Sequence, residues 1–161
     1  MRMSEYGRRL LTEWEGGARN KVYQDAAGLP TIGVGHLLTR DELSTGSIII
    51  DGVKVKYGNG LTDRQIDQLF TQDLAYAESV VNIGLGVDLW LTQNQYDALV
   101  SFVLNVGGSA YLNSTLRKLL LKKEYEKIPE QFRRWKHSGG KVLQGLINRR
   151  EKEIKLFEGM I

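Results

Sequence analysis

Glu15-Gly-Gly-Ala-Arg-Asn-Lys-Val-Tyr-Gln-Asp25-Ala-Ala-Gly-Leu-Pro-Thr31-Ile-Gly-Val-Gly-His36 decides how this chain folds. Upstream of it, residues 4–15 read as a helix, with Ser4 able to cap the start and Leu10, Leu11 and Trp14 forming an apolar face. Gly16-Gly17 stops that helix. The chain beyond this stop is glycine-rich and β-branched, and reads as β structure. Glu15 therefore stands at a helix end, while Asp25, Thr31 and His36 stand in the β segment. Two carboxylates on different backbone elements can flank one bond and hold different pKa values. Hydrolysis of a glycosidic bond needs that arrangement.

Working outward, residues 17–60 have the character of a small β lobe. Ile48-Ile-Ile50 and Val53-Lys-Val55 flank Asp51-Gly52, a dipeptide that favours a tight primed turn. Thr62-Asp-Arg-Gln65 is a capping box. The helix it opens, over 62–83, carries Ile66, Leu69, Phe70, Leu74 and Ala77 at helical spacing. At roughly 1.5 Å per residue that helix is about 30 Å long, enough to bridge two lobes. Thr92-Gln-Asn-Gln95 repeats the capping pattern before a strongly apolar helix. Shorter helices are expected at 114–123 and 125–136. Gly139-Gly140 breaks the chain before a last helix at 143–158. Trp90 and Trp135 are expected in the core.

A length of 161 residues bounds the chain to one compact unit with room for two lobes. Hydrophobic content of 42% and charged content of 25% are those of an ordinary globular chain. A net charge of +3 suits an anionic polymer, cell-wall glycan with acidic stem peptides and nucleic acid alike, and on its own selects no partner. The basic residues are scattered and lack an aromatic-rich strand pattern, so nucleic-acid binding is not expected. With no cysteine, disulfides, thiolate catalysis and thiolate metal sites are excluded. Two histidines argue against a His-rich metal site, and no cofactor is expected. The N-terminus has no apolar run of the signal-peptide kind, and no segment reaches the roughly 18 apolar residues of a spanning helix, so no stable membrane insertion is expected.

The order Glu, Asp, Thr, then Ile-Gly-Val-Gly-His resembles the phage lysozymes (endolysins) of the T-even and lambdoid type. Leu69-Phe-Thr-Gln-Asp73, Gln95 to Asn105, Ser114-Thr-Leu116 and Gly145-Leu-Ile-Asn-Arg149-Arg150 resemble later blocks of that family, in the same order. The resemblance covers nearly the whole chain. It implies a single-domain α+β lysozyme-like fold, mostly helical. Residues 17–60 would form the β lobe, 62–83 the bridging helix, and 1–16 with 84–161 the helical lobe, with the cleft between lobes.

The resemblance further implies a muramidase that cleaves the β-1,4 bond between N-acetylmuramic acid and N-acetylglucosamine with inversion. Its general acid would be Glu15, with Asp25 and Thr31 handling the attacking water. Glu13 is the competitor to Glu15, two residues away on nearly the opposite helical face. Nine residues, Gly16 to Gln24, separate Glu15 from Asp25, where the family usually has eight. The extra residue falls in a wider turn at Gly16-Gly-Ala-Arg-Asn20. Leu37, Leu104, Asn105, Ser114 and Thr115 are implied to line the cleft, and Arg149 to approach the acid from the last helix.

Asp73 lies on the apolar stripe of the bridging helix, where an unpaired carboxylate is costly. His36 follows the Gly-Val-Gly strand that would pack there. The expectation is a structural His36–Asp73 ion pair with a raised His36 pKa. Two other readings stay open: a lytic transglycosylase, which needs one Glu and has no need for Asp25 or Thr31, and a non-catalytic glycan-binding module. A monomer is expected, made in the host cytoplasm and reaching the wall, on the periplasmic side, through a holin.

Overall fold

A computed structural model describes the whole sequence, residues 1–161. In chain order the elements are α1 (Glu5–Trp14), β1 (Arg19–Gln24), β2 (Pro30–Gly33), β3 (His36–Leu37), α2 (Arg40–Thr45), β4 (Ser47–Ile50), β5 (Val53–Lys56), α3 (Asp63–Leu85), α4 (Gln93–Val106), α5 (Gly108–Leu112), α6 (Thr115–Leu121), a 3₁₀ turn (Tyr125–Lys127), α7 (Ile128–Arg133), β6 (His137–Ser138), β7 (Lys141–Val142) and α8 (Gln144–Phe157). The class is α+β with helix dominant. Contacts divide the chain into two compact units, Arg9–Asp73 and Met1–Arg8 with Leu74–Ile161. The boundaries fall inside α1 and α3. No helix is long and apolar enough to cross a membrane.

In the unit Arg9–Asp73, β1, β2 and β3 form an antiparallel sheet in that order. Gly33 fits under the third helix: a Cβ there would meet Ile66 and Leu69 at 3.6 and 3.8 Å. The expected hairpin is present, with Ile50 opposite Val53. Asp51 and Gly52 take φ of 50° and 76°, the left-handed pair that a type I′ turn requires. The α2 helix has no counterpart among the elements expected from sequence. It buries no residue and so shows no apolar period, but its capping box, Thr39 with Glu42, is complete.

In the other unit, α4 starts at the expected box, Thr92 with Gln95, and is buried continuously from Tyr96 to Val103. It packs along α8, which also takes α7. Phe102 stacks edge-on with Phe132 at 5.2 Å and with Trp135 at 5.5 Å. The first turn of α1 is fixed by α4. Ser4 N–H donates to Asp97 Oδ1 at 3.0 Å and the Ser4 hydroxyl donates to Asp97 Oδ2, while Ser4 Oγ accepts from Gly7 N–H at 2.9 Å. A Cβ on Gly7 would meet the Asp97 carboxylate at 2.6 Å, so only glycine lets α1 approach this closely.

Two expectations need correction here, and one unexpected element is added. Residues 125–136 are not one helix but the 3₁₀ turn followed by the short α7, because Pro129 belongs at a helix start rather than inside one. Trp90 is not core: it is 88% exposed on the loop after α3. Apolar character alone did not tell a loop tryptophan from a helix one. Residues 137–142 form a small hairpin, with Gly139 and Gly140 supplying φ of 56° and 77° at its turn.

Candidate active site

Glu15 closes α1. Gly17 N–H reaches Thr12 O at 2.8 Å and Gly16 N–H reaches Glu13 O at 3.0 Å. This is the paired bonding of a Schellman end, with Gly16 left-handed at φ 83°. The motif makes Glu15 the C-cap and fixes where the chain leaves the helix. Gly17, also left-handed at φ 88°, widens the exit. Glu15 is half-buried and Glu13 exposed. The Glu15 carboxylate lies against the turn between β2 and β3. A Cβ on Gly35, whose φ is 66°, would sit 2.5 Å from Glu15 Oε2. Position 35 therefore needs glycine twice, for its backbone and for the carboxylate beside it.

Asp25 follows the end of β1. Its Oδ1 accepts from Ala27 N–H and Leu29 N–H, both at 2.9 Å. Leu29 O in turn accepts Asp25 N–H at 2.9 Å. One carboxylate oxygen is thus held by the turn, and Oδ2 makes no hydrogen bond within the protein. Thr31 is 3% exposed. Its hydroxyl donates to Leu29 O at 2.9 Å, which leaves its lone pairs to accept. The same turn therefore orients both Asp25 and Thr31.

Tyr23 sits directly opposite Thr31 across the sheet. Opposed side chains share a face. Burial first, then the Glu15 carboxylate, raise its phenol above the ordinary range, and Asp25 adds to this; Arg19 and a backbone hydrogen bond from Gly35 oppose the rise. One hydroxyl is therefore within electrostatic reach of both candidate carboxylates. The Arg19 guanidinium lies over the Tyr23 ring, 4.3 Å from its centroid.

The structure brings His36 and Asp73 together: Nδ1 is 2.8 Å from Asp73 Oδ2. It also adds a partner that sequence reasoning missed, Glu42, whose Oε2 is 2.9 Å from Nε2. The two carboxylates push the imidazole up to about 9 against the effect of burial, which is the largest single influence and acts downward. The signal for Glu42 was the unread Thr39-x-x-Glu box.

Leu37, in the same unit, is 50% exposed. The remaining candidates lie in the other unit. Arg149 Nε donates to Glu153 Oε1 at 3.2 Å, and its Nη2 reaches Ser101 O and Oγ at 3.3 Å each. Glu153 is fully buried and also pairs with Arg150, Nε to Oε2 at 2.7 Å. Arg150 Nη2 donates to Asn105 Oδ1 at 2.7 Å and so fixes the amide of that exposed side chain. Leu104 is half-buried and Thr115 exposed. Ser114 is 5% exposed and its hydroxyl caps α6, accepting from Arg117 N–H at 3.1 Å and donating to Tyr111 O at 2.6 Å. No group of three or more His, Cys, Asp or Glu side chains is arranged to hold a metal ion.

Residues 12–153 match the sequence pattern described as phage lysozyme. The chain belongs to the phage lysozyme family. Among curated phage lysozymes it is 38% identical to the endolysin of Salmonella phage P22 over 143 residues, covering 89% of each chain. It is 36% identical to the endolysin of Acyrthosiphon pisum secondary endosymbiont phage 1, covering 98% of this chain and 99% of that one. The solved endolysin from Escherichia coli O157:H7 phage FAHEc1 superposes with a TM-score of 0.79 at 31% identity, covering 100% of this chain and 96% of the other. This phage lysozyme is accordingly a lysozyme-type enzyme with the lysozyme-like α+β fold.

Proposed function

We propose that this phage lysozyme is a muramidase that hydrolyses the β-1,4 bond between N-acetylmuramic acid and N-acetylglucosamine in peptidoglycan. The observation that carries the proposal is the Glu15 carboxylate seated on Gly35, with the Tyr23 hydroxyl in the field of both Glu15 and Asp25. In this mechanism Glu15 gives its proton to the glycosidic oxygen as the C1–O bond breaks. Water adds to C1 from the opposite face and passes a proton to Asp25 Oδ2, the oxygen that the turn leaves unspent. Thr31 Oγ1, whose own hydrogen is committed to Leu29 O, accepts the other water hydrogen and aims the molecule. The products are a reducing muramic acid end and a free N-acetylglucosamine hydroxyl. Asn105, Leu37, Leu104 and Thr115 are proposed glycan contacts; Ser114, in this proposal, contributes by fixing the start of α6. Arg149, His36 and Asp73 are assigned supporting roles. The enzyme acts as a monomer, made in the host cytoplasm and admitted to the wall by a holin.

Mass spectrometry of fragments released from purified peptidoglycan tests the proposal. Wild type is expected to give reducing muramic acid ends. Glu15→Gln is expected to lose about 10²–10⁴ in rate, the usual worth of a general acid, and Glu13→Gln to keep wild-type rate. Anhydro ends would mean a transglycosylase. No fragments from folded wild type would mean a binding module.

A further inference from the structure

The unit Arg9–Asp73 holds a stacked cation that the proposed hydrolysis does not use. Arg19 opens β1 and Tyr23 follows four residues later. Even spacing along a strand puts both side chains on one face, which Tyr23 shares with Thr31. The ladder between Arg19 and Tyr23 is bulged. A bulge re-aims a side chain locally, and here the guanidinium ends over the phenol ring at 4.3 Å. Stacking of this kind holds a guanidinium in place while leaving its edge open, since the ring meets only its face.

That edge is unspent. Arg19 forms no ion pair within 4.0 Å and no hydrogen bond through its side chain, although its charge is felt at the same phenol as those of Glu15 and Asp25. Four other arginines spend their donors within the chain: Arg117 on Gly84 O and Leu112 O, Arg133 on Glu151, Arg149 and Arg150 on Glu153. An arginine held by its face, with its five N–H donors in the guanidinium plane, is a fork for a carboxylate. It stands at the Gly16 side of the candidate site, where a Cβ on Gly16 would be 4.0 Å from its Nη2.

We infer that Arg19, stacked on Tyr23, is a binding site for a carboxylate of the substrate, so that the enzyme prefers muramic acid units bearing a free acid. This inference rests on the muramidase reading. The carboxylate has two sources in peptidoglycan: the lactyl ether itself, free when the peptide is removed, and the acidic residues of the stem peptide. Tyr23 acts as a positioning residue for the guanidinium.

Three soluble disaccharide probes test it by calorimetric titration: one with the free lactyl acid, one with an acidic stem peptide, and one with the peptide carboxylates amidated. Wild type is expected to bind the better of the two acids about tenfold more tightly than the amidated form, the size of one exposed charge-assisted contact. Arg19→Gln is expected to abolish that ratio. Arg19→Lys keeps the charge without the planar fork, and Tyr23→Leu keeps the fork without its stack, so both are expected to retain part of it. Lys21→Gln, with the same charge change on the same strand, keeps the ratio in full. If the lactyl acid alone shows the full preference, that ether is the source; if only the peptide-bearing probe does, the peptide is. A wild-type ratio near one, or a full ratio in folded Arg19→Gln, overturns the inference. Failure of the muramidase reading shows separately, as absence of reducing muramic acid ends from wild type.

Discussion

Asp73→Asn probes the double carboxylate grip on His36. The imidazole rises from 6.5 to about 9 in the folded chain. At about 1.4 kcal/mol per pKa unit this is about 3 kcal/mol of preference for the charged ring. Asp73 and Glu42 hold the two ring nitrogens at 2.8 and 2.9 Å, and burial works against both. Removing one carboxylate leaves the burial cost intact, so Asp73→Asn is expected to lose more than half of the gain, about 2 kcal/mol at pH 6. For a chain of this size that is about 4–8 °C in Tm. The sign comes from the raised pKa. The contribution is complete below about 6.5, the value in the unfolded chain, and is lost as pH rises through about 9. The gap between wild type and Asp73→Asn should therefore close by about pH 10.5. Glu42→Gln keeps the capping box, since glutamine also serves there, and should show the same closure. The assays are thermal melts across pH and an NMR titration of His36, in a chain with only one other histidine. A His36 titration unmoved in Asp73→Asn, or an equal loss at pH 6 and pH 10.5, would refute the reasoning.

Gly35→Ala combines a left-handed backbone with a methyl directed at Glu15 Oε2. It should cost about 1–2 kcal/mol in chemical denaturation and about 10²-fold in kcat, because the carboxylate must shift; unchanged kcat would count against Glu15 as the acid. Glu153→Ala strands Arg150, which is 1% exposed, and should destabilise by about 3–5 kcal/mol in the same assay. A loss under about 1 kcal/mol would mean that water replaces the carboxylate freely. Ser4→Ala removes the cap of α1 and its hydroxyl bond to Asp97, and should cost about 1–2 kcal/mol.

Much of the fold was legible because local rules and tertiary packing agreed. Gly16-Gly17 signals a helix stop in any context, and the Schellman bonds use it as such. Asp51-Gly52 demands positive φ and obtains it. The Thr92 box opens α4 at the expected residue. The elements missed are too short to show a period, the five-residue α5 among them. The α2 helix buries nothing, and β6 and β7 are two-residue strands. At the site, the His36–Asp73 contact was readable because a carboxylate on an apolar stripe must find a partner. Glu42 was not, since its side chain serves a cap and an ion pair at once. The role of Tyr23 needed strand register, which sets the residue it faces and is invisible in spacing alone. Glu153 needed the α4–α8 packing that joins it to Ser101, 52 positions away.

The Ser4–Asp97 cap has a consequence for synthesis. The residues that start the chain's first helix obtain their anchor 93 positions later. Met3 N–H likewise waits for Glu78, at 2.8 Å in the finished fold. At a translation rate of about 5–20 residues per second, the first turn of α1 stays unanchored for roughly 5–20 seconds after it is made. Arg9–Asp73 is complete before either partner exists. The order of emergence therefore favours closing the inner unit first, with the opening octapeptide the last part of its own helix to be secured.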